Sequence, residues 1–178
     1  KFREDVAERI GEQGAYINPT LHVNRAIVWA MLRRKETKPL TPHEQDQLNQ
    51  YKASLDFGLE SCGRFLDMGL RVITGSDSSW GHHELGNTVY ETECLVMSGM
   101  SAMDGVKSVT SDAAKSLGIH DMVGTLEAGK EADIIVVDGN PAEDTNALWN
   151  VHDVFLAGNR VDRGSQESVD STRQARWD

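Results

Sequence analysis

Two short apolar runs, residues 15–18 and 70–74, are separated by a long stretch of helical pattern, and this spacing constrains the fold more than any other feature. A tight hairpin cannot join strands so far apart. A helical crossover between them makes a parallel βα unit, as in an open parallel sheet or a barrel. The first run ends at Pro19, which cannot donate to a ladder. The second follows Met68-Gly69 and runs into Gly75-Ser76-Asp77-Ser78-Ser79-Trp80-Gly81, a loop by composition.

Helices fill the rest of the first two thirds. Phe2, Val6 and Ile10 are apolar at four-residue steps, and Gly11 or Gly14 can close that helix. Residues 23–34 are mixed in pattern, a helix or a lid over a site. Thr41-Pro42-His43-Glu44 has the form of a capping box with proline in the first turn. It predicts a helix over 42–67 with a possible break at Gly58 or Gly63. Residues 87–98 form an amphipathic helix that Gly99 closes. Ser101 caps a helix to Val109, and Thr110 or Ser111 caps another to Leu117, ended by Gly118.

The pattern changes from Gly124. Residues 132–138 read as a buried strand with a turn at Gly139-Asn140-Pro141. Residues 151–156 and 159–161 flank Ala157-Gly158 as a hairpin. The organisation is a set of βα units over 1–123, a β layer over 124–162, and a polar tail over 163–178. The chain opens on Lys1 inside a helical pattern, as a truncated, processed or renumbered chain would.

A net charge of −10 argues against a nucleic-acid or anionic-membrane partner, since phosphates are held by excess Lys and Arg. No apolar run reaches the roughly 18 residues a membrane span needs, and no signal peptide opens the chain. Cys62 and Cys94 lack C-x-x-C spacing, which excludes a zinc finger or redox motif. Two buried thiols in a reducing cytoplasm, or one disulfide in a periplasmic or secreted protein, are the readings left; the first sets the expected location.

Asp77 lies just past the C-terminal end of an apolar strand, the end at which (β/α) barrels gather reactive side chains. An Asp after a strand is more often an N-cap or turn residue, so the position alone is a weak signal. Of the six histidines, His22 follows the first strand and is a candidate substrate contact or a loop residue. His82 and His83 are adjacent and so diverge as ligands unless the loop is unusual, although Asp77 lies five residues before His82 and a surface loop could bring them together; His43, His120 and His152 read as surface or cap residues. Gly124, Gly129 and Lys130 outline a P-loop, but Glu131 stands where Ser or Thr is needed and a strand follows where a helix should, so that reading fails.

Several segments in order carry a family resemblance. They are Gly75-Ser76-Asp77-Ser78, Gly99-Met100-Ser101, Val109-Thr110-Ser111-Asp112-Ala113-Ala114-Lys115-Ser116-Leu117-Gly118, the run from Gly124-Thr125-Leu126 through Gly129-Lys130-Glu131-Ala132-Asp133 to Asn140-Pro141, and the stretch around Gly158. Over about 15–161 this series resembles the C-terminal portion of the metal-dependent amidohydrolase superfamily, in its imidazolonepropionase-like and Xaa-Pro dipeptidase-like branch. The resemblance implies an α/β fold, a TIM-like (β/α)₈ barrel with a small β-sandwich. Residues 15–18 would be strand 7, 70–74 strand 8, and 132 onward the C-terminal share of the sandwich.

It also implies that Asp77 is the strand-8 carboxylate, both metal ligand and general base, with a divalent metal, zinc by analogy, activating water. The family's other metal-site residues (the strand-1 His-x-His, the strand-4 Lys or Glu, the strand-5 and strand-6 histidines) have no counterpart here and would precede Lys1. A chain with one ligand should be inactive alone, and should need the missing barrel portion or self-associate. The complete enzyme would act on a small-molecule amide, cyclic amide or dipeptide. The alternative is a non-catalytic interaction or assembly domain, and a His-x-His in the upstream reading frame would decide between the two.

Overall fold

The computed structural model describes residues 1–77 and 88–164. Helix α1 (Glu4–Glu12) leads to strand β1 (Tyr16–Ile17), and helices α2 (His22–Thr37) and α3 (Pro42–Asp67) lead to strand β2 (Arg71–Val72). β1 and β2 pair in parallel, Tyr16 opposite Arg71 and Ile17 opposite Val72. The Ile73 N–H extends the ladder by donating to Ile17 O at 2.9 Å. The helical separation thus gives the expected parallel pair, although the paired segment is shorter than either apolar run.

α3 runs over the range that its start signal predicts. Thr41 Oγ1 accepts from the Glu44 N–H at 3.3 Å, and Glu44 Oε2 accepts from the Thr41 N–H at 2.9 Å. Those bonds from Thr41, with Arg34 alongside, hold the Glu44 carboxyl down to about 2. Neither Gly58 nor Gly63 breaks the helix. A Cβ on Gly58 would lie 2.8 Å from Leu21 Cδ2, and one on Gly63 would lie 2.9 Å from Ser98 O. Both glycines let α3 approach its neighbours, where the composition suggested a break.

Residues 23–34 are helix throughout, part of α2, and form no lid among the described residues. α1 turns Ala7 inward and leaves Val6 exposed, so its buried face is centred one residue from the expected stripe. The core lies between α3, α4 and β2, with Leu55, Leu59, Cys62, Val72, Cys94, Leu95 and Met100 packed together. Both cysteines are free and buried, with burial pushing the thiols up to about 11 for Cys62 and about 12 for Cys94. No helix among the described residues is long and apolar enough to cross a membrane.

After β2 come α4 (Thr88–Met97), α5 (Ala102–Val109) and α6 (Ser111–Leu117). Ser101 caps α5 through the Asp104 N–H, 3.1 Å. Thr110 does not cap α6; its hydroxyl donates back to Val106 O at 2.7 Å, because its backbone leaves the geometry a cap needs.

The C-terminal part is a three-stranded antiparallel sheet of β3 (Ile134–Val137), β4 (Val151–Leu156) and β5 (Asn159–Arg160). A 3₁₀ turn at Thr145–Trp149 joins β3 to β4 and packs on α4 and α5. β3 is not the buried strand that its apolar run suggested. Ile135 and Val136 are 54% and 42% exposed, since within the described residues no second layer covers them.

Candidate functional site

Thr74, just past β2, is buried, and its Oγ1 lies 2.7 Å from Ser108 Oγ on α5 and 3.2 Å from Thr92 Oγ1 on α4. Its N–H donates to Ser108 O at 3.2 Å. Three hydroxyls therefore pin the strand end to two helices, a geometry that apolar residues could not direct. Gly75 follows, where the Asn18 side chain from the end of β1 occupies the space a Cβ would need.

Asp77 is exposed and has a left-handed backbone, φ +46°. Thr20, past β1, is left-handed as well, φ +50°. Left-handed backbone costs Asp little and a β-branched residue such as Thr more, and Ala157 in the turn between β4 and β5 shares it, φ +47°. Thr20 and Asp77 both lie beyond the C-terminal ends of the paired strands. His22 and Asp77 occupy equivalent positions past Ile17 and Val72, but they differ in setting: Asp77 is open to solvent, and His22 is buried at the start of α2. Ser78, His82 and His83 lie outside the described residues. His43, His120 and His152 are exposed, as expected.

His22 belongs to a buried polar cluster. Its ring stacks on Tyr90 with centroids 4.6 Å apart, and its Nδ1 accepts from Arg25 Nε at 3.2 Å. Arg25 is 3% exposed; its Nη2 donates to Glu93 Oε2 at 2.9 Å and Tyr90 O at 3.0 Å, and its guanidinium lies 4.5 Å from the Trp29 ring centre. Glu93 Oε1 accepts from Trp149 Nε1 at 2.6 Å, reaching the 3₁₀ turn. Glu91, fully buried, accepts the N–H of Leu21 at 2.8 Å and of His22 at 2.6 Å. Burial raises the Glu91 carboxyl above its ordinary range, against the two N–H donors and Arg25, which favour the ionised form.

Sequence reading missed Arg25, Glu91 and Glu93. One signal was available: the apolar residues of α4 are spread around the helix and do not form the single stripe expected over 87–98, so a glutamate in Tyr90-Glu91-Thr92-Glu93 had to turn inward, and Glu91 does.

Among the described residues no group of three or more His, Cys, Asp or Glu could hold a metal ion. Asp77 offers one oxygen donor, short of the three or so protein ligands a catalytic zinc requires. No chemical step is routed through a metal on these residues.

The amidohydrolase family model matches residues 4–161, nearly all of the described chain. The chain belongs to the amidohydrolase family. It is 34% identical over 86 residues to an imidazolonepropionase of Thermoplasma volcanium, covering 48% of this chain and 21% of that protein. An adenine deaminase 2 of Jannaschia sp. is 28% identical over 119 residues, 66% of this chain and 18% of its own length. Among solved structures, a Xaa-Pro dipeptidase with bound methionine in its active site superposes with a TM-score of 0.72 at 26% identity, over 90% of this chain and 37% of that one. The α/β fold is thus that of solved amidohydrolase structures, and the chain spans about a fifth of the curated relatives it matches and 37% of that dipeptidase chain.

Proposed function

We propose that this chain carries the strand-end carboxylate of a hydrolase acting on C–N bonds of an amide, cyclic amide or dipeptide. The observation that carries the reading is Asp77 itself, held left-handed and solvent-facing just past a parallel strand whose end Thr74 pins. The names of the relatives, a deaminase, an imidazolonepropionase and a dipeptidase, support the bond class. In this reading residues 1–123 contribute strands 7 and 8 of a barrel, and residues 124–162 a share of a β-sandwich.

The Asp77 carboxylate takes a proton from water as the water oxygen attacks the carbonyl carbon. It then passes that proton to the nitrogen as the C–N bond breaks. A bound divalent metal, zinc by family resemblance, would lower the pKa of water toward ~7 and leave the carboxylate less to do. Its other ligands would come from polypeptide outside this chain, so the isolated chain is inactive in this reading. His22, the candidate substrate contact, is buried against Tyr90 and Arg25, and in this reading it supports the wall of the site from within.

The test is hydrolysis of dipeptides, N-acyl amino acids and cyclic amides by the complete polypeptide and its Asp77→Asn variant. Loss of turnover in the variant supports the reading. Unchanged turnover overturns it, and absence of any such activity in the complete polypeptide favours a non-catalytic assembly role.

A further inference from the structure

Helix α2 starts without a cap of its own. Its cap position is Leu21, which has no side-chain oxygen, so the first N–H groups of the helix need acceptors from elsewhere. Glu91 supplies them, one carboxylate oxygen to Leu21 N–H and the other to His22 N–H. A Ser, Thr, Asp or Asn at position 21 would accept from the N–H groups one turn further in, at Val23 or Asn24, and would leave those of residues 21 and 22 to an acceptor from elsewhere. The chain uses a fully buried carboxylate from the first turn of α4, far away in sequence.

That choice ties two connections together. α2 begins after the connection that leaves β1, and α4 is the first helix after the connection that leaves β2 and carries Asp77. Thr20, the strained residue, immediately precedes the two N–H groups that Glu91 holds. Tyr90, beside Glu91, stacks on His22, and Arg25 donates to the same ring. The β1 connection is therefore registered against α4 by hydrogen-bonding and stacking contacts, and groups that line a site must be placed to within about 0.5 Å to work together.

We infer that Glu91 is a positioning residue for the proposed hydrolase. It fixes the Thr20–His22 segment as one wall of the substrate site, and so governs substrate binding more than the chemical step. The inference rests on the proposed reading of Asp77.

The experiment compares Glu91→Gln, Thr20→Gly, Leu55→Ala and Asp77→Asn in the complete polypeptide with the substrate it turns over. Glutamine keeps the shape but can accept only one of the two N–H bonds. Its expected effect is a KM about tenfold higher with kcat within roughly threefold. Thr20→Gly frees the same segment without touching Glu91, and KM should move the same way. Leu55→Ala removes a fully buried core side chain and should lower the melting temperature while leaving KM unchanged.

Cys62 and Cys94 report folding, because both thiols are buried and should stay silent to an aromatic disulfide reagent in every folded variant. If Glu91→Gln stays folded and keeps the wild-type KM, Glu91 is a packing residue and the inference is overturned. If Glu91→Gln does not fold, Thr20→Gly decides alone: a raised KM supports the inference and an unchanged KM overturns it. Full activity of Asp77→Asn overturns instead the reading underneath, a result distinct from both.

Discussion

Thr74 Oγ1 lies 2.7 Å from Ser108 Oγ, and Ser108 Oγ in turn donates to Gly105 O at 2.7 Å. The end of β2 is thereby fastened to α5 by hydroxyls with no access to water. Thr74→Val keeps the shape and takes one contact each from Ser108 and Thr92, whose hydroxyls still donate to Gly105 O and Thr88 O, so the cost should be about 1 kcal/mol, that of one net hydrogen bond. Thr74→Ser should cost clearly less. Urea unfolding of both variants checks the order, and equal stability would mean that the hydroxyl pair carries no net weight.

Asp77→Asn removes the proton acceptor while keeping the side chain's size. General-base assistance is worth ~10²–10⁴ in rate, so kcat should fall by at least that lower figure with KM changed much less. Asp112 is the control. It sits in the first turn of α6 and bonds Lys115 Nζ at 2.9 Å, and Asp112→Asn should cost about 1 kcal/mol or less and little activity. Steady-state kinetics of both variants in the complete polypeptide separate the two roles.

Glu91 gives stability a pH dependence of definite sign. Folding raises the proton affinity of its carboxyl, so the native state holds more protons than the unfolded chain above the ordinary value of 4.5. Its contribution is full below that value and is lost as pH rises through the raised native value. The groups around it are Arg25 on α2, Cys62 on α3, and Glu93 and Cys94 on its own helix, and the thiols stay neutral throughout this window. Unfolding free energy measured from pH 4 upward should show this decline, and Glu91→Gln should flatten it. A variant with the same slope as wild type would assign the pH dependence elsewhere.

The purified chain alone should hold well under one equivalent of zinc after dialysis against a weak chelator. Its described residues bring one proposed ligand, Asp77, and no group of three or more His, Cys, Asp or Glu that could hold an ion. Elemental analysis measures this directly. A stoichiometric, tightly held ion would point to donors in the segment containing His82 and His83.

How much could be read in advance follows the range of each interaction. α3 was legible to its ends because Thr41, Pro42 and Glu44 act within one turn. The parallel pairing of β1 and β2 was legible because only a helical connection fits their separation. Asp77 stood out by its place after a strand, although its left-handed backbone did not. The His22 cluster was hidden because Glu91 meets Leu21 from 70 residues away, and periodicity carries no record of partners. The exposure of Ile135 and Val136 was hidden for a related reason: an apolar run announces a strand but not how many layers cover it. Gly58 and Gly63 read as breaks because composition is blind to a neighbouring helix.

The bond from Trp149 to Glu93 also bears on how the molecule comes apart. β4 begins just after Trp149, while Glu93 is shared with Arg25 deep under α2. Peeling the three-stranded sheet away together with the turn before it would take from Glu93 the hydrogen bond of Trp149 and leave its pairing with Arg25 in place, so a partly buried carboxylate would lose one of its donors. Fraying of the sheet is thereby coupled to loosening of the α2–α4 contact. Loss of either contact leaves the same carboxylate less well held, so each part weakens the other as it opens.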